Sequence, residues 1–394
     1  MRRESYAGLR HDCGRRGNLP SPPYNKEVDS AEVVIAGAGI IGLSLALDLA
    51  THGIRVVVLD RGLAMAEASW AAAGMLAAND PENPPKFAEL AQHSLNLYPH
   101  YLARIEHLSG KRVPFRTRIT LQASHPGRLP KLAEIGNHRR LSSAEATALV
   151  PHLNPGEHDF LLIEEQSLDP RDLCTALPLA AKAAEVAIRE NHPVVSIDTE
   201  SDRSLTVQTL AEPIAATHFV NCAGAWATFP ALRANGLLSP SQPTILPVKG
   251  QMVTVRLRGR DRLEQVLRTP DIYLVPRDEA RIAIGATIEQ AGFDKTVEPH
   301  AIARLLHAAA ELYTPIADAE ILETWAGLRP ATTDDLPLIG KSSAHSNYWI
   351  ATGHYRNGIL LAPGTARLLS QAIRGEAPEI DLSRFDPNRP SLPI

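Results

Sequence analysis

Residues 32–60 confine this chain to one kind of opening architecture. Val33, Val34, Ile35 and Ala36 form a short continuous apolar run, the pattern of a strand buried on both faces of a parallel sheet. The run passes into GAGIIG at Gly37, then into Leu43, Leu45, Ala46, Leu47, Leu49 and Ala50, apolar enough for a buried helix with Gly53 as its C-terminal cap. Residues 55–60, RVVVLD, read as a second strand ending in an acid. Gly37 permits the tight turn, Gly39 lets backbone approach a diphosphate, and Gly42 brings helix and strand together. The diphosphate then sits on free N–H groups at the helix start. Asp60, twenty-three positions beyond Gly37, is placed to accept hydrogen bonds from a ribose diol. An isolated GxGxxG is weak evidence. With strand, helix, cap and terminal acid around it, the unit specifies dinucleotide binding.

Two further stretches narrow the choice of dinucleotide. ASWAAAGML, from Ala68 to Leu76, places small residues in a row, suited to close packing against a flat ring. Near the other end, YWIAT from Tyr348 reads as a buried strand. GHYRNG from Gly353 is a polar loop, and residues 359–373 form a largely apolar helix that tolerates Pro363 near its first turn. A second strand–loop–helix aims a helix N-terminus at a ring that becomes negative on reduction. A flavin needs that arrangement; a nicotinamide, which gains no negative charge, needs it less.

Composition closes off other classes. With 40 Lys and Arg against 44 Asp and Glu, the net charge of −4 gives no field for nucleic acid or an anionic membrane. Cys13, Cys174 and Cys222 are too few and too scattered for a disulfide framework or a zinc site, so no metal is expected. Cys222 reads as a small core hydrophobe. No apolar run approaches the ~18 residues of a spanning helix, and the expected location is cytoplasmic. Residues 1–30 stand apart as a disordered basic leader with Arg2, Arg3, Arg10, Arg15, Arg16 and Lys26, lacking the apolar core of a secretory signal.

Together with GAGIIG and ASWAAAGML, the blocks LPVKGQMV at Leu246, IYLVPR at Ile272, WAGLRPATTDDLPLIG at Trp325 and GHYRNGILLAP at Gly353 resemble the glycine oxidase (ThiO-type) branch of the D-amino-acid-oxidase family. The resemblance spans residues 32–374. It implies an α/β fold, with a Rossmann-like FAD domain of the glutathione-reductase type and a substrate domain on a large mixed or antiparallel sheet. The FAD domain is expected over 31–110, 169–223 and 330–382, and the substrate domain over 111–168 and 224–329. The residues agree, because 111–168 and 224–328 hold strand-like stretches bounded by Pro and Gly turns, without the strand–helix rhythm. Family FAD contacts fall on Ile40 and Ile41, Asp60 and Arg61, Ala68 and Ser69, Ala73, Gly74 and Met75, Val194, and His354, Tyr355, Arg356, Asn357, Gly358, Ile359 and Leu360. Carboxylate-binding residues fall on Arg329 and Arg356, with Tyr273 a hydrogen-bond donor nearby. Asp271 stands where some relatives carry histidine, which puts any imidazole role there in doubt.

The implied reaction is oxidation of the C–N bond of glycine or a similarly small amine or D-amino acid, giving an imine or 2-oxo acid while O₂ becomes H₂O₂. Arg329 suits the carboxylate because its planar fork fixes direction as well as distance. Arg356 reads equally as a second donor or as a strut of the flavin loop, and Tyr273 as a third donor or an ordinary strand tyrosine. His354 reads as a loop element rather than a base. Lys249 reads as a hinge or water-binding residue, with a surface salt bridge the stronger alternative. No cysteine follows Cys222, so the FAD is expected to be non-covalent. Expected partners are a small amino acid such as glycine, O₂, further copies of the chain in a homo-oligomer (a tetramer by family habit), and a separate thiazole synthase receiving the imine for thiamin synthesis. The competing readings are a sarcosine-oxidase-like or D-amino-acid dehydrogenase activity, a non-catalytic FAD-binding or tRNA-modifying protein, and an NAD-dependent dehydrogenase.

Overall fold

The computed structural model describes residues 30–127, 138–201, 204–234, 237–238, 243–343 and 345–390. The leader expected over 1–30 lies outside them except for Ser30.

Strand Ser30–Ala36 runs parallel to Val56–Leu59 on one side and Ile214–Asn221 on the other, and Val56–Leu59 is parallel to Ala187–Arg189. Alternation then sorts the side chains. Val33, Ile35, Val56 and Val58 face helices Ile40–Thr51, Ala88–Ser109, Pro170–Ala183 and Gly358–Ile373 in one core. Val34, Ala36, Val57 and Leu59 face a second core with Ile197, Leu205 and Val207 from the antiparallel strands Val194–Ser201 and Ser204–Thr209. Strand Ile214–Asn221 forks. Its first half pairs with Ser204–Thr209, and its last residues pair in parallel with Tyr348–Thr352. Far-separated chain segments thereby converge on one strand end.

Pro363 in helix Gly358–Ile373 removes the N–H that would bond Ile359 four residues back. The Tyr98 hydroxyl donates to the Ile359 carbonyl instead, and Ser94 Oγ donates to the Leu360 carbonyl at 2.6 Å. A Cβ on Gly364 would come within 2.8 Å of Ser94 Cβ, so helix Ala88–Ser109 packs tightly here and fixes where Gly358–Ile373 begins.

The second sheet has eight strands among the described residues. Their order is Glu320–Ala331, Leu246–Arg256, Arg281–Gly285, Tyr273–Pro276, Val266–Arg268, Thr120–Ser124, Asp159–Ile163, His138–Leu141. All neighbours are antiparallel except Val266–Arg268 with Thr120–Ser124. Val253, Val255, Leu274, Ile282 and Ile284 bury against Ile302, Leu305 and Ala309 of helix Pro299–Leu312. The opposite face carries Met252, Val266, Val275, Ala283 and Trp325, packed on Ala71 and Ala73 of the first unit. The sheet therefore offers one face to its own core and one to the dinucleotide-type unit.

Sheet membership crosses the expected division of the chain at two places. Strands Ala231–Ala234 and Leu237–Leu238, expected in the second unit from Gly224 onward, pair in the first sheet. Phe115–Thr117 and Gln166–Leu168 join Met75–Leu76 in a separate three-stranded sheet at the junction. A short strand goes to whichever edge offers its backbone donors and acceptors a partner, and segment composition does not show that edge.

Candidate active site

A cavity of about 630 Å³ lies between the first unit and the free face of the second sheet. Gly37, Gly39, Ile40 and Ile41 line one end, at the start of helix Ile40–Thr51, which no side chain of its N-cap residue closes. A Cβ on Gly37, whose φ is +104°, would meet the Cys222 carbonyl oxygen at 2.4 Å. A Cβ on Gly42 would lie 2.0 Å from the Gly37 oxygen. Gly42 itself does not line the cavity; its smallness lets the turn close. Asp60 lines the same end, its oxygens accepting from Ala38 N–H at 2.7 Å and Gly62 N–H at 2.8 Å. Burial pushes its carboxyl up, and those two backbone donors oppose the rise. Arg61 pairs with Glu67 at 2.9 Å and lies 3.6 Å above the Trp226 ring.

The stretch read as a ring platform forms a short helix Ala68–Ala71 and strand Met75–Leu76. Ala68, Ser69, Ala73, Gly74 and Met75 all line the cavity, as does Val194. Ser69 Oγ accepts the Ile40 N–H at 2.9 Å, tying this stretch to the helix start. Buried Arg277 donates to the carbonyls of Ala73 at 2.8 Å, Ala72 at 3.0 Å and Leu168 at 3.2 Å. Arg171 stacks 3.9 Å over Trp70, whose ring meets Trp325 edge-on at 5.9 Å. These contacts fasten the platform to the second sheet.

The third wall is His354, Tyr355, Arg356, Asn357, Gly358 and Ile359. Leu360 does not line the cavity, because it is wholly buried in the core of the first unit. His354 is buried, its Nε2 3.0 Å from Thr365 Oγ1, and burial pushes its pKa down to about 3. It is a neutral ring held in the protein. Arg356 pairs with Asp80 at 3.0 Å and Glu82 at 2.6 Å, and Asn357 Nδ2 donates to Asn83 Oδ1 at 3.1 Å. The loop is therefore strapped to the turn at 80–83.

The sheet supplies the floor. Tyr273 and Arg329 both line the cavity, and each lies over a glycine. A Cβ on Gly285 would stand 2.8 Å from the Tyr273 ring, and one on Gly250 would stand 2.5 Å from the Arg329 guanidinium nitrogens. Arg329 Nη1 donates to the Thr287 carbonyl at 3.0 Å, and Tyr273 Oη reaches Met252 Sδ at 3.8 Å. Both glycines are visible in the sequence, in PVKGQ and RIAIGAT. A glycine inside an apolar strand is the signal for close approach.

Lys249 corrects an expectation. It is 1% exposed, not a surface residue, and its Nζ lies 3.4 Å from Glu289 and 3.9 Å from Glu298. Two acids on the loop that crosses its strand let the ammonium stay buried. Asp271 is exposed at the cavity edge. Cys222 is buried and Cys174 half-buried, and burial pushes both thiols up, Cys174 to about 12. Among the described residues no cluster of His, Cys, Asp and Glu suits a metal, and no helix is long and apolar enough to cross a membrane.

A flavin dinucleotide suits this set of groups. The helix start at Gly39, whose N-cap residue has no side chain, and the crowded Gly37 turn would take a diphosphate, Asp60 a ribose, and the platform and the 353–358 loop a ring. Known proteins agree. The profile of the DAO family, described as FAD dependent oxidoreductase, matches residues 32–372. A glycine oxidase of Pseudomonas putida is 33% identical over 365 residues, covering 91% of this chain and 98% of its own. A bifunctional protein ThiO/ThiG of Trichormus variabilis is 35% identical over 369 residues, and there the match spans 55% of the longer protein. The crystal structure of glycine oxidase from Geobacillus kaustophilus superposes with a TM-score of 0.84 at 29% identity, over 92% of this chain and 99% of that one.

Proposed function

We infer what this protein does from the fact that it belongs to the DAO family of FAD dependent oxidoreductases. FAD is its cofactor, and it is an enzyme that oxidises an organic substrate. Its substrate is glycine or a comparably small amino acid or D-amino acid, and its product is the imine, which hydrolyses to the 2-oxo acid. FAD, held by residues 37–41, Asp60, the 68–75 stretch and the 353–358 loop, would supply the two-electron redox chemistry that couples oxidation of the substrate Cα–N bond to reduction of O₂ to H₂O₂.

The observation that carries this reading is Arg329, a guanidinium lying over Gly250 on the cavity floor with Tyr273 on the same face. A planar fork with N–H groups facing a cavity takes both oxygens of a carboxylate, and Tyr273 donates a further hydrogen bond. That grip turns the substrate Cα toward the platform formed by residues 68–76. No side chain is needed as a base toward Cα–H. His354 is neutral and committed to Thr365, and hydride leaves readily from a neutral amine, so turnover rises with pH as the substrate ammonium deprotonates. With Cys222 buried, Cys174 half-buried and both thiols kept protonated by burial, the flavin is held without a covalent bond. The bifunctional ThiO/ThiG relative supports delivery of the imine to a thiazole synthase.

Peroxide release from the purified protein with glycine, sarcosine, D-alanine and D-proline tests the reading. Glycine or D-alanine turnover is expected. Reduction of an artificial dye without peroxide would make the protein a dehydrogenase, and inertness toward all four amines would overturn the substrate assignment.

A further inference from the structure

Arg268 is 4% exposed and lines the cavity beside Tyr273, its cross-strand partner on the same sheet face. Its Nε donates to Gln122 Oε1 at 2.5 Å, while Nη1 and Nη2 make no hydrogen bond among the described residues. Nη1 lies 3.4 Å from Asp80 Oδ2 and 3.2 Å from Glu165 Oε2. The same Asp80 carboxylate also holds Arg356 at 3.0 Å, and Glu82 takes the other edge of that guanidinium. Asp80 is 8% exposed and set in a locked turn: its Oδ1 accepts the Glu82 N–H at 3.0 Å, and its carbonyl accepts the Asn83 N–H at 3.0 Å. Two guanidiniums thus face three carboxyls, with Asp80 common to both.

We propose that Asp80 determines substrate specificity by cancelling Arg268 and Arg356, so that the cavity rejects amines carrying a second carboxylate. The inference rests on the amino-acid oxidase reading. A substrate whose α-carboxylate sits on Arg329 and Tyr273 extends its remaining atoms along the sheet toward the neighbouring position, Arg268. Left alone, buried Arg268 and the more exposed Arg356 would attract a distal carboxylate strongly, as such forks do. With Asp80, Glu82 and Glu165 already opposite them, an added anion finds both guanidiniums paired and must displace an existing partner. A small neutral side chain makes no such demand. Rejection of this kind, built from a repulsive group, is how a site separates ligands that share one anchoring end.

The test titrates the FAD-loaded protein with propionate and with succinate, reading the flavin absorbance, and repeats this in Asp80→Asn, Asp80→Glu and Glu82→Gln. In parallel, kcat/KM for D-aspartate is compared with that for D-alanine. In Asp80→Asn the succinate-to-propionate affinity ratio and the D-aspartate-to-D-alanine ratio each rise at least tenfold, and Asp80→Glu returns both toward wild type. Glu82→Gln, at the exposed end of the network, shifts them the same way by less and guards against misfolding of the buried variant. Unchanged ratios in both Asp80→Asn and Glu82→Gln with flavin bound overturn the inference. A shifted carboxylate ratio in a protein that oxidises neither D-alanine nor glycine keeps the role of Asp80 and removes the oxidase reading.

Discussion

Gly250→Ala is the sharpest probe of the carboxylate clamp, because it moves Arg329 without altering a single charge. The new Cβ would stand 2.5 Å from both Nη atoms and 2.6 Å from Cζ, against about 3.4 Å for ordinary contact. The guanidinium must therefore retreat by about 0.9 Å. Gly250 does not carry a left-handed φ, so alanine costs the strand nothing in conformation, and the atoms that yield are the end of a flexible side chain beside a cavity. Stability should change little. A fork displaced by nearly an ångström keeps its charge near the ligand but loses the alignment of one of its two hydrogen bonds. A charge-assisted bond is worth roughly 1.5–3 kcal/mol, so kcat/KM should fall about 10- to 150-fold. The assay is peroxide release at varied glycine, alongside propionate affinity read from the flavin spectrum and a thermal melt. Expected are a raised KM, weakened propionate binding and a melting temperature within a few degrees of wild type. If KM and propionate affinity stay at wild-type values while the fold is intact, the substrate carboxylate does not sit on Arg329 and the orientation argued above fails.

Three other perturbations follow from the same geometry. Gly37→Ala puts a Cβ 2.4 Å from a backbone oxygen that cannot swing away, at a φ of +104°, so FAD affinity of the apo-protein should drop at least tenfold in a fluorescence titration; unimpaired binding would place the diphosphate elsewhere. Arg277→Met strips the donors from three buried carbonyls and should cost about 3–5 kcal/mol, read as a large fall in melting temperature that Arg277→Lys partly restores; a melt unchanged in the methionine variant would contradict the platform's dependence on it. His354 concerns pH: the unfolded chain takes up a proton near pH 6.5, which the folded chain refuses until about pH 3. Its contribution is thus complete above pH 6.5 and is lost as pH falls toward 3. The gap in melting temperature between wild type and His354→Gln should accordingly narrow from pH 7.5 to pH 5, and a gap independent of pH would mean that the imidazole titrates freely.

What the sequence displays well is local. Strand Ser30–Ala36, helix Ile40–Thr51 and the acid at Asp60 are visible because apolar run, glycine spacing and cap all lie within thirty residues and agree with one another. Tyr348–Thr352 followed by Gly358–Ile373 is legible for the same reason, down to the tolerated Pro363. What made that proline harmless was not legible. The Tyr98 hydroxyl that caps the orphaned Ile359 carbonyl comes from 261 positions away, and nothing about a tyrosine in the middle of a helix points to that partner. The burial of Lys249 is hidden from the sequence for a related reason. A lysine in a strand defaults to solvent unless acids meet it, and Glu289 and Glu298 reach it only because the loop after Arg281–Gly285 folds back over the strand.

The candidate site divides along the same line. Arg329, Tyr273 and the 353–358 loop could be picked out because each sits in a distinctive local block. Asp80 and Arg268 sit in none: the Asp80 turn resembles any polar turn, and Arg268 any strand arginine. Their importance arises from a junction that joins Asp80, Glu165, Arg268 and Arg356 from four separate stretches of chain and buries the first three, which a core tolerates only when they are paired. Sequence shows which charges exist; only the fold shows which of them have already been spent on one another. Two cavities with identical anchoring residues can therefore differ in the ligands they admit. The difference lies in how many guanidinium N–H groups remain uncommitted, and in this protein Asp80 sets that number.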